Sequence, residues 1–147
     1  MEYNLRPYIQ SDREFVYYVK KVVYKSYVET NWGEWDEEKQ RTMFDEFISD
    51  FAKEIKIIII NGEMAGFFHG NDIDEKTYEQ RNICLLPAFQ GKGIGTNILK
   101  KTIENHLSQN IILRCFKQNP VVNLYKRLGF EIIEELPHHY KMMRKSK

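Results

Sequence analysis

The stretch Ile83-Cys84-Leu85-Leu86-Pro87-Ala88-Phe89-Gln90-Gly91-Lys92-Gly93-Ile94-Gly95-Thr96-Asn97-Ile98 decides how the rest of the chain is read. An apolar, strand-like run is closed by Pro87. A short loop follows, then a helix that opens on glycines. Unpaired N–H groups at a helix start point outward together and carry the positive end of the helix dipole. Glycines let an anion approach that backbone closely, and Lys92 adds a mobile positive charge. A pyrophosphate is the natural occupant.

Three phosphate loops compete for this stretch. A Walker A loop needs G-x-x-x-x-G-K-[S/T], but here the lysine lies between two glycines. A dinucleotide fingerprint needs G-x-G-x-x-G, and Gly91, Gly93 and Gly95 give G-x-G-x-G instead. It also needs an acidic residue about twenty positions on, where this chain has Leu113-Arg114. The acyl-CoA loop, Q/R-x-x-G-x-G/A, is matched by Gln90, Gly93 and Gly95.

Working outward, Tyr78 to Leu86 reads as the strand that feeds the loop, and Ile94 to Leu107 as the helix that leaves it. That helix has an apolar stripe through Ile94, Ile98, Leu99 and Ile103. Ile111 to Cys115 is a further buried strand. Asn119 caps and Pro120 opens a short helix whose apolar face is Val121, Val122, Leu124, Tyr125 and Leu128. Gly129 ends it. Phe130 to Glu134 and His139 to Met143 form a closing antiparallel pair. Upstream, Asn4 to Tyr8 is a first strand. Ser11 or Asp12 caps a helix carrying Phe15, Val16, Val19, Val22, Val23 and Tyr27, which ends near Glu29. Asn31 to Trp35 connects it to a second helix, capped by Asp36, with Phe44, Phe47, Ile48 and Phe51 on its inner face. Ile55 to Ile60 and Ala65 to Gly70 are strands joined by the hairpin signal Asn61-Gly62. A polar loop, Asn71 to Lys76, follows. The order β-α-α-β-β-β-α-β-α-β-β predicts an α+β fold: a mixed, mostly antiparallel sheet with helices on both faces. The parallel pair is expected within residues 78–115.

With both motifs in hand, the sequence resembles the GNAT superfamily of acetyl-CoA-dependent N-acetyltransferases. The resemblance covers the whole chain in element order. It is sharpest at Ile83–Thr96 and at Asn119–Phe130, where Asn119 precedes the Leu-Tyr-x-x-x-Gly-Phe signature at Leu124, Tyr125, Gly129 and Phe130. It implies an opening between the strands at 78–86 and 110–115. The pantetheine arm of acetyl-CoA would pair there with main-chain groups of Ile83, Cys84 and Leu85. The loop Gln90, Gly91, Lys92, Gly93, Ile94, Gly95 and Thr96 would hold the pyrophosphate. Asn119 would bond the arm near the thioester, and Tyr125 would lie beside the sulfur. Taken singly, the glycines can be only a tight turn and Tyr125 only core.

The chemistry such a site supports is direct attack of an amine on a thioester. The amine must lose a proton first, because an alkyl amine is mostly protonated at neutral pH. The oxyanion needs a backbone N–H, and the leaving thiolate a proton, for which Tyr125 carries a suitable O–H. Glu79, on the strand lining the opening, is the first candidate base; a solvated carboxylate is the competing reading. His69, His138 and His139 are others. His106, late in a helix, is most simply a partner of the helix dipole. Ribosomal-protein-type relatives carry a glutamate within Leu-Glu-Val, where this chain has Leu113-Arg114-Cys115, and arginine cannot act as a base. The resemblance places the acceptor pocket at Tyr27, Trp32 and Trp35, with Glu34, Glu37 or Glu38 nearby, and at the last hairpin with His139. The competing reading is that the tryptophans pack the helix corner.

Composition sets the remaining expectations. The chain has 147 residues, 42% of them hydrophobic, which suggests one domain over residues 1–147 with a real core. A net charge of +1 gives no bulk electrostatic case for nucleic acid. Cys84 and Cys115 lie in apolar runs and read as reduced thiols in a cytoplasmic protein. The polar start, Met1 to Arg6, fits no signal peptide, and no run is long enough to span a bilayer. The basic end, Lys141 to Lys147, reads as a frayed tail. No cluster has metal-ligand spacing. The expected activity is transfer of acetyl from acetyl-CoA to a primary amine of a small molecule or peptide. The alternative is a non-catalytic acyl-CoA sensor. The resemblance also allows a homodimer.

Overall fold

The two apolar periodicities resolve into strands and helices in the expected order among residues 2–147, the residues described by the computed structural model. Met1, where the polar N-terminal stretch begins, lies outside them. The elements are β1 (Asn4–Pro7), α1 (Arg13–Trp32), α2 (Glu37–Phe51), β2 (Ile55–Ile60), β3 (Glu63–Asp74), β4 (Thr77–Leu85), α3 (Ile94–Asn105), β5 (Asn110–Phe116), α4 (Val121–Arg127), β6 (Glu131–Glu135) and β7 (His139–Arg144). Main-chain pairing orders a 7-stranded sheet as β1-β2-β3-β4-β5-β7-β6. β4 and β5 are parallel; β1–β2, β2–β3, β5–β7 and β6–β7 are antiparallel. The fold is α+β, as expected. The chain forms two compact units, Met1–His69 with Asn82–Gly95, and Gly70–Arg81 with Thr96–Lys147.

In the first unit, α1 and α2 pack Val16, Tyr17, Val19, Phe44 and Ile48 with Ile55, Ile57, Phe67 and Cys84 of the strands. Tyr17 meets Phe44 edge to face at 5.2 Å, a geometry that suits aromatic quadrupoles. Asp36 caps α2 by accepting the Lys39 amide. Asp12 stands at the α1 cap position, but its carboxylate turns back to Arg6 (2.8 and 2.9 Å) and the Ile9 amide. α1 also outruns its expected end at Glu29. The Asn31 side chain donates to the Tyr27 carbonyl, and the helix stops only at Gly33, whose φ of +100° no side chain adopts easily. Asn31 and Trp32 are therefore helical, not connecting. Asn61 (φ 52°) and Gly62 (φ 79°) make the tight β2–β3 turn. Beyond it the register shifts between Ile58 and Ile59. Ala65 is the extra residue of this bulge, and its carbonyl takes the Leu86 amide at 2.9 Å.

Glu37 clasps the corner between the first two helices. Its carboxylate accepts from Tyr17 Oη, Lys21 Nζ and Trp35 Nε1 at 2.8–2.9 Å. The Lys21 bond first, then those from Tyr17 and Trp35, hold it down from the ordinary 4.5 to about 2. Folding lowers this pKa, so the contribution is complete above the unfolded value and is lost as pH falls toward 2. Glu37→Gln is expected to flatten the pH dependence of the urea midpoint in that window. The effect should shrink in high salt, since the group is exposed. Parallel curves for variant and wild type would remove Glu37 as the acid-sensitive clasp.

In the second unit, β3 runs on to Asp74, so the expected polar loop is reduced to the turn Glu75–Lys76. Propensity misled here because Asn and Asp disfavour strands, while partners from elsewhere hold these residues extended. Arg81 Nε bonds Asn71, and Gln109 Nε2 bonds Asp72. His106 lies just past α3, stacks on Tyr78 at 3.8 Å and bonds Gln109 through Nδ1. That is a packing role rather than a dipole partner. The α4 residues Val121, Val122, Leu124, Tyr125 and Leu128 are half-buried rather than core. The basic tail is tied down: the Ser146 amide donates to Asn110 Oδ1 and the Lys147 amide to the Leu107 carbonyl. Among the described residues no helix is long and apolar enough to cross a membrane.

Candidate functional site

In the first unit, the glycine loop is built from the end of β4. Pro87 ends the strand and opens a single tight turn, Pro87–Phe89. Gln90 Nε2 then reaches back to the Leu85 carbonyl at 2.8 Å, pinning the loop to the strand. Gly91 (φ +74°) and Gly93 (φ +80°) hold left-handed backbone conformations, and a Cβ on either would meet no atom within 4 Å. Nothing inside the chain occupies the space they leave, so their smallness serves conformation and approach from outside. Gly95 is different. Its φ is ordinary and its Cβ would only touch Leu85 Cδ1 at 3.8 Å, which fits a position where the motif also accepts alanine. Ile94 is buried and anchors the first turn of α3, while Lys92 is exposed. The first amides of α3, from Ile94 through Thr96, have no partner within the helix. The loop and helix start thus form an anion-accepting surface.

The strand behind the loop is closely packed. The Cys84 carbonyl lies where a Gly66 Cβ would stand, 1.8 Å away. Tyr24 Oη receives Asn82 Nδ2 at 2.9 Å and lies 3.2 Å from Cys84 Sγ. Burial pushes the Cys84 thiol up to about 11, so it is a protonated core group and no nucleophile. Ile83 is half-buried and Leu85 buried. His69 is fully buried between Phe47 and Phe51, with Nε2 on Glu54 at 2.9 Å. It is a core histidine whose Nε2 side is taken by Glu54. Trp35 packs against the helix core and donates Nε1 to Glu37. Trp32 is exposed and Tyr27 half-buried.

In the second unit, the β4–β5 ladder spans three residue pairs, from Thr77↔Asn110 to Glu79↔Ile112, and β4 continues on to Leu85. The Glu79 carboxylate, 12% exposed, pairs with Arg81 at 3.0 Å. It is neither solvated nor at a strand end. Asn119 Oδ1 accepts the Val121 amide at 3.0 Å, so Asn119 organises the start of α4 from one residue outside it, with Pro120 at the cap. Tyr125 is half-buried, its ring 5.8 Å from that of Phe130. The His139 ring lies 4.3 Å from that of Phe116, tilted by 32°. Burial, then the charges of Arg114 and His138, push its imidazole below the ordinary range. Among the described residues no group of three or more His, Cys, Asp or Glu side chains is placed to hold a metal ion.

The sequence model described as the Acetyltransferase (GNAT) family matches residues 22–130, which include the loop, Asn119 and Tyr125. The chain belongs to the GNAT acetyltransferase family.

Solved acetyltransferase structures share the fold, two of them over nearly the whole chain and a third over part of it. The paia N-acetyltransferase from Thermoplasma acidophilum in complex with coenzyme A aligns over 99% of both chains, at 20% identity and a TM-score of 0.71. A Corynebacterium glutamicum protein described as histone acetyltransferase HPA2 and related acetyltransferase aligns over 100% of this chain and 98% of its own, at 17% identity and 0.78. A GNAT family acetyltransferase from Elizabethkingia anophelis with acetyl-CoA bound aligns over 68% and 82%, at 20% and 0.56. Two features of this GNAT chain escaped the sequence reading. Gly66 was a detectable signal, since glycine inside a strand often marks a close backbone approach. The Tyr24–Asn82–Cys84 cluster had no local signal, because its members are joined only through strand-to-helix packing.

Proposed function

We propose that this GNAT chain is an N-acetyltransferase that moves the acetyl group of acetyl-CoA to a primary amine by direct attack. The observation that carries this reading is the loop Gly91–Gly93. Both glycines leave open space, and a buried Ile94 directs the amides of α3 outward. Gly91 to Thr96 bind the pyrophosphate there, and Lys92 adds charge. Gln90 acts by holding the loop on Leu85. Main-chain groups of Ile83, Cys84 and Leu85 receive the pantetheine arm along β4. Asn119 has its oxygen on α4, and its amide nitrogen donates to the arm. When bound, acetyl-CoA supplies an activated acyl group. The Tyr125 hydroxyl protonates the departing sulfur, and Glu79 accepts the amine proton after releasing Arg81. Tyr27, Trp32, Trp35 and His139 contact the acceptor. The free, buried thiols Cys84 and Cys115 suit a reducing cytoplasm.

A thiol-release assay over a broad panel of amines, with product masses checked, tests the reading. Tyr125→Phe is expected to lower turnover about 100-fold while changing the acetyl-CoA Kd little. Unchanged turnover would remove Tyr125 as the acid. The Glu79–Arg81 ion pair favours a second reading, an acyl-CoA sensor without catalysis. Tight acetyl-CoA binding with no release above hydrolysis on any amine would select it.

A further inference from the structure

Strand register sorts the side chains of the second unit by face, because ladder partners share a face and alternate residues return to it. Glu79 pairs with Ile112, Ile112 with Met143, Arg114 with Lys141, and Phe116 with His139. Glu79, Arg114, Phe116, His139 and Lys141 therefore project from one face. On that face the β4–β5 ladder ends at Glu79↔Ile112, and Arg114 is the next β5 residue, about 7 Å further along the strand. Arg114 is exposed and, among the described residues, forms no ion pair; Lys141 beside it forms none either. Of the acidic groups on this face, Glu79 is held by Arg81, and Glu131 and Glu134 stand on β6 across from Met143 and Lys141, on the side away from β5. The rings of Phe116 and His139, 4.3 Å apart and tilted by 32°, stand at the next position beyond Arg114.

This face opposes a polyamine and suits an anion. An arginine presents a planar fork of donors that matches a carboxylate or phosphate and gives charge-assisted hydrogen bonds. Building on the acetyltransferase reading above, we propose that the acceptor amine carries a carboxylate or phosphate, which Arg114 binds with Lys141 in support, so that the Arg114 face selects anionic acceptors. The spacing from Ile112 to Arg114 suits molecules whose amine and anion are a few bonds apart.

The test uses the full chain with matched acceptors that share one amine. Glycylglycine is compared with glycylglycinamide, 4-aminobutyrate with 4-aminobutanamide, and aminoethyl phosphate with ethanolamine. Spermidine serves as the cationic reference. The anionic member of the carboxylate or the phosphate pairs is expected to have a kcat/KM at least about 10-fold higher, and which pairs respond tells the two anions apart. Arg114→Glu should erase that preference through KM, and Arg114→Lys should restore part of it. Calorimetry should show the same acetyl-CoA Kd for all three proteins. A wild type that binds acetyl-CoA but uses neutral or cationic amines equally well overturns this proposal and leaves the acetyltransferase reading standing. So does an unchanged preference in Arg114→Glu. Binding without turnover on any amine overturns it in favour of the sensor, and failure to bind acetyl-CoA overturns both.

Discussion

Gly93→Asp is expected to abolish acetyl-CoA binding while the protein still folds. Gly93 sits at φ +80° directly before the buried Ile94, and an added Cβ meets no atom of the chain. The folded state therefore suffers only backbone strain, about 1–2 kcal/mol for a residue in the left-handed region. The ligand suffers much more. A carboxylate would stand where the α3 amides present their positive end, and like charge would face the pyrophosphate at close range. A loss of at least about 100-fold in affinity follows, or roughly 2.7 kcal/mol. Gly93→Ala separates the two effects, since it carries the strain without the charge. It should shift the urea midpoint as the aspartate does and bind more tightly than the aspartate. Calorimetry that finds wild-type affinity in Gly93→Asp would defeat the loop assignment.

Gly66→Ala is expected to be strongly destabilising. Its Cβ would stand 1.8 Å from the Cys84 carbonyl oxygen, 2.8 Å from the Cys84 carbonyl carbon and 3.0 Å from Leu85 Cα. These are backbone atoms of a strand, so no rotamer change relieves the clash. Either β3 or β4 must move, at the bulge where Ala65 already receives the Leu86 amide. A loss of about 3 kcal/mol or more is expected, at the upper end of what overpacking does. The same displacement shifts the Ile83–Leu85 backbone proposed to receive the pantetheine arm. Weakened acetyl-CoA binding should therefore accompany the lower stability. Wild-type thermal stability in Gly66→Ala would show that the two strands are not held as close as described.

The parts of this protein that were legible in the sequence share one property: their cause lies within a few residues. Asp36 caps α2 because its own third neighbour, Lys39, offers the amide. Asn61-Gly62 turns the chain because both residues accept positive φ. Gln90 to Thr96 reads as an anion loop because strand end, glycines and helix start are contiguous. The α3 stripe Ile94, Ile98, Leu99 and Ile103 is buried throughout, as its period required.

What was not legible depended on partners far away in the chain. Glu37 looked like a ligand for a cationic amine, but it is held by Lys21 and Tyr17 of α1. Trp35, for which the helix corner was one of two readings, bonds it there. Asn71 and Asp72 looked like loop residues, yet Arg81 and Gln109 keep them in a strand. Glu79 looked like a candidate base or a solvated carboxylate, and it is a paired, mostly buried one. Arg114 was noted as a missing glutamate; the β5–β7 register gave it a face, with Lys141 and His139 beside it. Periodicity and capping thus specified the α+β order and the glycine turn between β4 and α3, because backbone conformation answers to near neighbours. Which side chains stand free to meet a substrate was decided by register and packing, because charge pairing and burial answer to whatever the fold brings alongside.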